Sequence, residues 1–226
     1  VAKAATLTTL VFISKRLDAP TTEYRRWYIE HHAPDFLTFG RPYLRRYNQH
    51  YVDRAHKGAV DFDVISEFEY RDAQSRDALL KTVMTPEARA MLARVPKIGV
   101  QPGPNEAHDG PRAFAVDAEL LSGPPRGYDR PATAKQALLL RRSNGASLTE
   151  FAEDARRFGS GMEAGRVVLD LALPEAGRPA PLFDGVMLVW PARNGVLPSG
   201  FGEPPGAVEV ANILDILSYE TDLGTL

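Results

Sequence analysis

The spacing of apolar and polar residues changes period several times along the 226 residues, and each change marks an element. Residues 6–14 form a β-branched and apolar run closed by Lys15-Arg16, the pattern of a central strand. Beyond Asp18-Ala19-Pro20 the period turns helical: Thr21 can cap, Glu23 suits a first turn, and Tyr24, Trp27, Tyr28 and His31 fall on one stripe. Pro34 has no amide proton and disfavours helical backbone at Ala33, so this helix is expected to end or kink near His32, with 36–39 a short continuation. Residues 43–52 and 60–70 alternate as two strands joined through 55–58, which is a hairpin. Residues 71–84 and 86–95 read as helices, the second opening with Thr85 as cap and Pro86 in its first position. A Pro- and Gly-rich loop over 96–111 then leads to a fourth strand at 113–121. That order completes a split βαββαβ unit of the ferredoxin-like type.

A second Pro- and Gly-rich passage, 122–131, separates this unit from a run that repeats it. Residues 136–142 read as a strand ending in two arginines, 148–158 as an amphipathic helix, and 166–173 and 186–190 as strands. Thr21-Thr22-Glu23-Tyr24 lies over Leu148-Thr149-Glu150-Phe151 at a constant offset. Residues 191–206 carry loop chemistry where a second helix would fall, and 208–217 supply a last strand. The expected organisation is therefore a unit over 1–121, a linker over 122–133 and a second, degenerate unit over 134–226. The fold class expected is α+β, with two ferredoxin-like units packing sheet to sheet as an α+β barrel.

Composition narrows the function classes. Hydrophobic residues make up 44% and charged residues 25%, and the net charge is −2, so no strong field favours nucleic acid or anionic lipid. The chain has no cysteine, which removes disulfides, thiolate nucleophiles and Cys-ligated metals and fits a reducing cytoplasm. No apolar run approaches the ~18 residues of a membrane span, and residues 1–9 lack the order of a signal peptide. Neither a Gly-rich phosphate loop, a His-Glu-x-x-His helix nor a Gly-x-Ser-x-Gly elbow occurs, so no cofactor and no metal are expected.

Lys15-Arg16, Glu23-Tyr24, Trp27-Tyr28-Ile29-Glu30-His31-His32-Ala33-Pro34 and Tyr43-Leu44-Arg45-Arg46-Tyr47-Asn48-Gln49 together resemble the EthD-domain family of the dimeric α+β barrel superfamily. In that family a basic residue ends the first strand, an aromatic helix runs into a His-Ala-Pro turn, and the second strand opens Leu-Arg-Arg-Tyr. The resemblance covers 8–90 and reaches the second half only as a degenerate repeat. It implies a sheet that closes against a second sheet, here from the same chain, so that a monomer or a homodimer is expected. The family match favours His32 as the pocket residue, whereas periodicity favours His31. The second half departs from the pattern: Gly159 stands in place of His32, and Asp154-Ala155 in place of Trp27-Tyr28.

These residues support proton-transfer chemistry. A histidine near a helix C-terminus is favoured in its cationic form, which suits general acid or base work. Adjacent helical residues point about 100° apart, so His31 and His32 cannot chelate one metal ion well. Tyr28 precedes His32 by four residues and can touch it. The catalytic candidates are thus His32, Tyr28 and His31, with Trp27, Asp35, Arg46, Asn48 and His50 as substrate-binding candidates. On the second strand Arg46, Asn48 and His50 share one face, and Tyr47, Gln49 and Tyr51 the other. The expected function is a dehydratase, lyase, isomerase or cyclase acting without cofactor on a hydrophobic oxygenated small molecule. The alternative is a non-catalytic accessory protein that binds such a molecule.

Overall fold

Eight strands close edge to edge into an antiparallel barrel in the computed structural model, which describes residues 7–15, 20–92, 112–124, 133–192 and 201–223. The strands are β1 (Leu7–Ile13), β2 (Leu44–Lys57), β3 (Val64–Tyr70), β4 (Ala113–Ser122), β5 (Thr133–Arg142), β6 (Arg166–Ala172), β7 (Gly185–Trp190) and β8 (Val208–Asp222). Their order around the barrel is β1-β3-β2-β8-β5-β7-β6-β4. Each half of the chain therefore contributes four strands in the same internal order: fourth, first, third, second. The halves meet along β2–β8 and β4–β6, so neither half keeps an open edge.

Alternation along the strands gives the barrel two faces. Inward positions from all eight strands form one core, including Leu10, Phe12, Ile65, Phe114, Leu139, Val168, Leu188 and Ile216, with Val52 packed against it. Outward positions are covered by helices. In the first half these are α1 (Thr21–Trp27), a π-helical turn (Tyr28–His32), α2 (Ala33–Gly40), α3 (Ala73–Val83) and α4 (Pro86–Leu92). In the second half the outer face is covered by α5 (Leu148–Ser160), whose Phe151, Ala155 and Phe158 pack on Leu169 and Met187. α5 begins with a capping box in which the Ser147 hydroxyl accepts from the Glu150 amide and the Glu150 carboxylate accepts from the Ser147 amide. Tyr24 and Phe151, matched in the sequence repeat, are both 1% exposed and fill equivalent places under α1 and α5.

The structure decides or refines three sequence expectations. The helix at 21–32 does not end at His32 but passes through the π turn into α2, with Pro34 in the first turn of α2. β2 runs on to Lys57, so the turn starts at Gly58, whose φ of +70° and close approach to Asn212 leave no room for a side chain. No helix occurs between β7 and β8 among the described residues, as the weakened repeat suggested. The loop expected at 96–111, with its His108, and residues 125–132 of the linker lie outside the described residues. Among the described residues no helix is long and apolar enough to cross a membrane.

Candidate functional site

Pro34 shapes the first part of the site. It cannot donate to the Glu30 carbonyl, and the helix accommodates it by widening: the Ala33 amide donates five residues back to the Tyr28 carbonyl. Wide turns of this kind recur at functional sites. The turn lies over the outward face of β2 and β3, anchored upstream by Arg25, which donates to the Val52 carbonyl at 2.6 Å and pairs with Asp53 at 3.1 Å. Tyr28 points into the layer and is 3% exposed. Its hydroxyl shares a hydrogen bond of 3.2 Å with Ser66 on β3, and its ring meets Tyr24 at 5.6 Å and Tyr51 at 6.1 Å. Tyr47 stacks on Phe68 at 5.0 Å, and the Tyr51 hydroxyl donates to the Gln49 side chain. Burial raises the pKa values of Tyr24, Tyr28, Tyr47 and Tyr51, so these phenols stay protonated.

His32 stands at the edge of this tyrosine layer. Its ring lies 4.3 Å from the Tyr28 ring and 5.5 Å from that of Trp27, and the residue as a whole is half-buried. Burial against these rings lowers its pKa to about 4, while the Asp35 carboxylate pulls the other way. This reverses the expectation of a cationic imidazole. The helix does not terminate here, so no open carbonyl end stabilises the charge, and desolvation prevails. His31 points to solvent, and Trp27 and Asp35 are half-buried beside His32.

The other candidates lie on the opposite side of the sheet. Asn48 and His50 face the barrel interior, 0% and 1% exposed, because they alternate with Tyr47, Gln49 and Tyr51. They cannot share a pocket with Tyr28 and His32. Their partners include Glu67: the Asn48 side-chain amide donates to its Oε2 at 2.8 Å, and His50 Nε2 lies 3.0 Å from the same oxygen. His50 Nδ1 is 2.7 Å from the Ser218 hydroxyl on β8. With Glu67 as a carboxylate, Nε2 donates to it, and the Ser218 hydroxyl satisfies Nδ1. Arg46 faces the same mouth of the barrel and pairs with Glu69 at 3.6 Å. Further round, the Lys135 ammonium and the Arg166 guanidinium lie 4.1 and 4.9 Å from the Trp190 ring. Sequence reading missed Glu67 and Ser218. The available signal was a charged residue at an inward position of a strand otherwise rich in apolar residues.

A cavity of about 30 Å³, lined by Thr9, Phe36, Phe68, Tyr70 and Leu79, lies between α2, α3 and the sheet. That is room for about one water and too little for a substrate. Among the described residues no group of three or more His, Asp or Glu side chains is arranged to hold a metal ion.

The architecture is that of an α+β barrel protein, closed within one chain, with an aromatic and imidazole cluster between helix and sheet. A solved structure shares this fold. An anthrone oxidase-like protein matches with a TM-score of 0.55 at 10% identity, over 99% of this chain and 95% of that one. A candidate monooxygenase from Fusobacterium nucleatum subsp. nucleatum gives 0.45 at 12% identity, over 85% and 78% of the two chains. A candidate chlorite dismutase gives 0.45 at 10% identity, over 97% and 96%. No protein-family model matches the sequence, and no curated protein is similar to it.

Proposed function

We propose that the chain is an EthD-like protein of two ferredoxin-like units, over 1–121 and 134–226, that performs acid/base chemistry without a cofactor on a hydrophobic oxygenated small molecule. The observation that carries this reading is the contact of His32 with Tyr28 at 4.3 Å, one ring held neutral and the other held protonated. A neutral imidazole at the accessible edge of an apolar layer can take a proton from an acidic C–H or phenolic O–H of the substrate. Tyr28 can donate to the carbonyl oxygen on which charge develops, once its hydroxyl leaves Ser66. Trp27 and Asp35 would bound the same opening. Arg46, Asn48 and His50 are left out of this constellation by their place inside the barrel. The fold neighbour's name refers to an anthrone, a polycyclic ketone, so polycyclic phenols and ketones are the first probes to use.

A base must be unprotonated to act. Turnover should therefore hold from neutral pH downward and fall as the pH drops through about 4, where His32 gains its proton. A mass-spectrometric panel of such compounds, run without added cofactor, tests the reading. His32→Ala should lower turnover by about 100-fold or more with the fold kept, and undiminished turnover in that variant would refute the role. A second reading, a non-catalytic binding protein, is favoured by the engagement of Tyr28 with Ser66 and its 3% exposure. Binding without product across the panel would select it. A cytoplasmic monomer or homodimer suits both readings.

A further inference from the structure

The molecule has a second concavity, lined by none of the residues around His32, at the end of the barrel where β5 and β6 finish and β7 begins. Its volume is about 490 Å³, within the range that small-molecule sites occupy. The floor is apolar and rigid. Phe114, at the bottom, stacks on Phe12 at 5.6 Å, and Phe12 meets Phe62 at 4.9 Å and Phe183 at 5.5 Å, a plug that closes this mouth of the barrel. The exposed large hydrophobic side chains among the described residues are Met84, Leu120, Leu148 and Leu173, and two of these four, Leu148 and Leu173, line this one cavity. Such side chains scattered singly need no explanation; two converging on one hollow point to something that covers them.

Charge supplies the second half of the argument. Three arginines, Arg141, Arg142 and Arg178, and two carboxylates, Glu175 and Asp184, line the cavity. Both carboxylates are already engaged. Glu175 holds Arg76 through two bonds of 2.5 and 2.9 Å and also pairs with Arg178, which keeps its pKa low. Asp184 accepts from the Arg142 amide at 2.8 Å and lies 3.9 Å from that residue's guanidinium. Arg141 is the exception: its guanidinium sits 5.4 Å from the Phe183 ring centroid, and no carboxylate pairs with it among the described residues. Stacking on Phe183 holds the planar fork at the edge of the apolar floor, where it can meet an anion through two parallel hydrogen bonds.

We infer that this hollow is a binding site for a small amphiphilic carboxylate, its hydrophobic body against Phe114, Leu148 and Leu173 and its carboxylate on Arg141. The β6–β7 segment that forms one wall is fixed by the Arg76–Glu175 pair, so the site is formed before the ligand arrives. It is independent of the acid/base reading.

Titration calorimetry with 2-naphthoate, and with 2-naphthamide as its uncharged counterpart, tests this on the full chain. 2-Naphthoate should bind and shift the methyl resonances of Leu148 and Leu173. 2-Naphthamide should bind about tenfold more weakly or worse, and Arg141→Gln should weaken 2-naphthoate by a similar factor with an unchanged unfolding midpoint. His32→Ala should leave the affinity as it is, which separates this site from the one at His32. No binding of 2-naphthoate, equal affinity for the amide, or an Arg141→Gln protein that binds like the parent would overturn the proposal.

Discussion

At His32 the decisive quantity is the cost of placing a positive charge against two aromatic rings. The sequence places a histidine near a proline, and a helix end there would have raised its pKa. Because the helix continues, the ring is desolvated without a compensating dipole, and Asp35 offsets only part of that cost. Inside the barrel the opposite rule holds, since His50 is buried but bonded at both nitrogens. Removing Glu67 would take from His50 Nε2 and the Asn48 amide the hydrogen bonds they make to its carboxylate inside the barrel. Glu67→Leu is expected to cost about 3 kcal/mol, measured by urea unfolding against the parent. A loss under about 0.5 kcal/mol, the size of an ordinary surface change, would mean that water already reaches these groups.

Elements were legible where one period held and less so where two rules competed. Strand alternation in β2 separated Asn48 and His50 from Tyr47, Gln49 and Tyr51 correctly, yet it does not say which face meets the helices. That depends on how β2 packs, and here the tyrosines go under the π turn. Helical phase placed Tyr24 and Tyr28 inward, but the extra residue of the π turn shifts the phase after Tyr28, so His32 and not His31 comes against the tyrosine. Nothing in local sequence distinguishes a helix that stops before Pro34 from one that widens around it. The second half shows the same logic from packing. At Gly159, which replaces His32 in the repeat, an added Cβ would stand 2.4 Å from Leu121 Cδ1 and 2.9 Å from Met187 Cε. Gly159→His is therefore expected to destabilise the fold by roughly 2–4 kcal/mol in thermal or urea unfolding. A neutral effect would show that α5 can lift from the sheet.

At the scale of the whole molecule, closure is the property that the repeat only hinted at. Four strands in a matching order appear in each half, but the pairing of β2 with β8 and β4 with β6 joins residues far apart in the chain, and no local pattern encodes it. The inward core draws on every strand, so each half alone would leave that face and two strand edges uncovered. The chain should unfold in a single transition, with calorimetric and van't Hoff enthalpies equal. Two separate transitions would show instead that the halves are independent domains.

The most direct test of the central claim, that His32 is a neutral base wedged against Tyr28, is its own titration followed by nitrogen-15 NMR of the imidazole ring. A midpoint near 4, with the ring neutral at pH 7, is the expected result. The same depression makes the fold lose stability as pH falls from 6.5 towards 4, because the unfolded chain takes up the proton first. A midpoint at or above 6.5 would contradict the claim, placing the ring in water and away from the tyrosine layer.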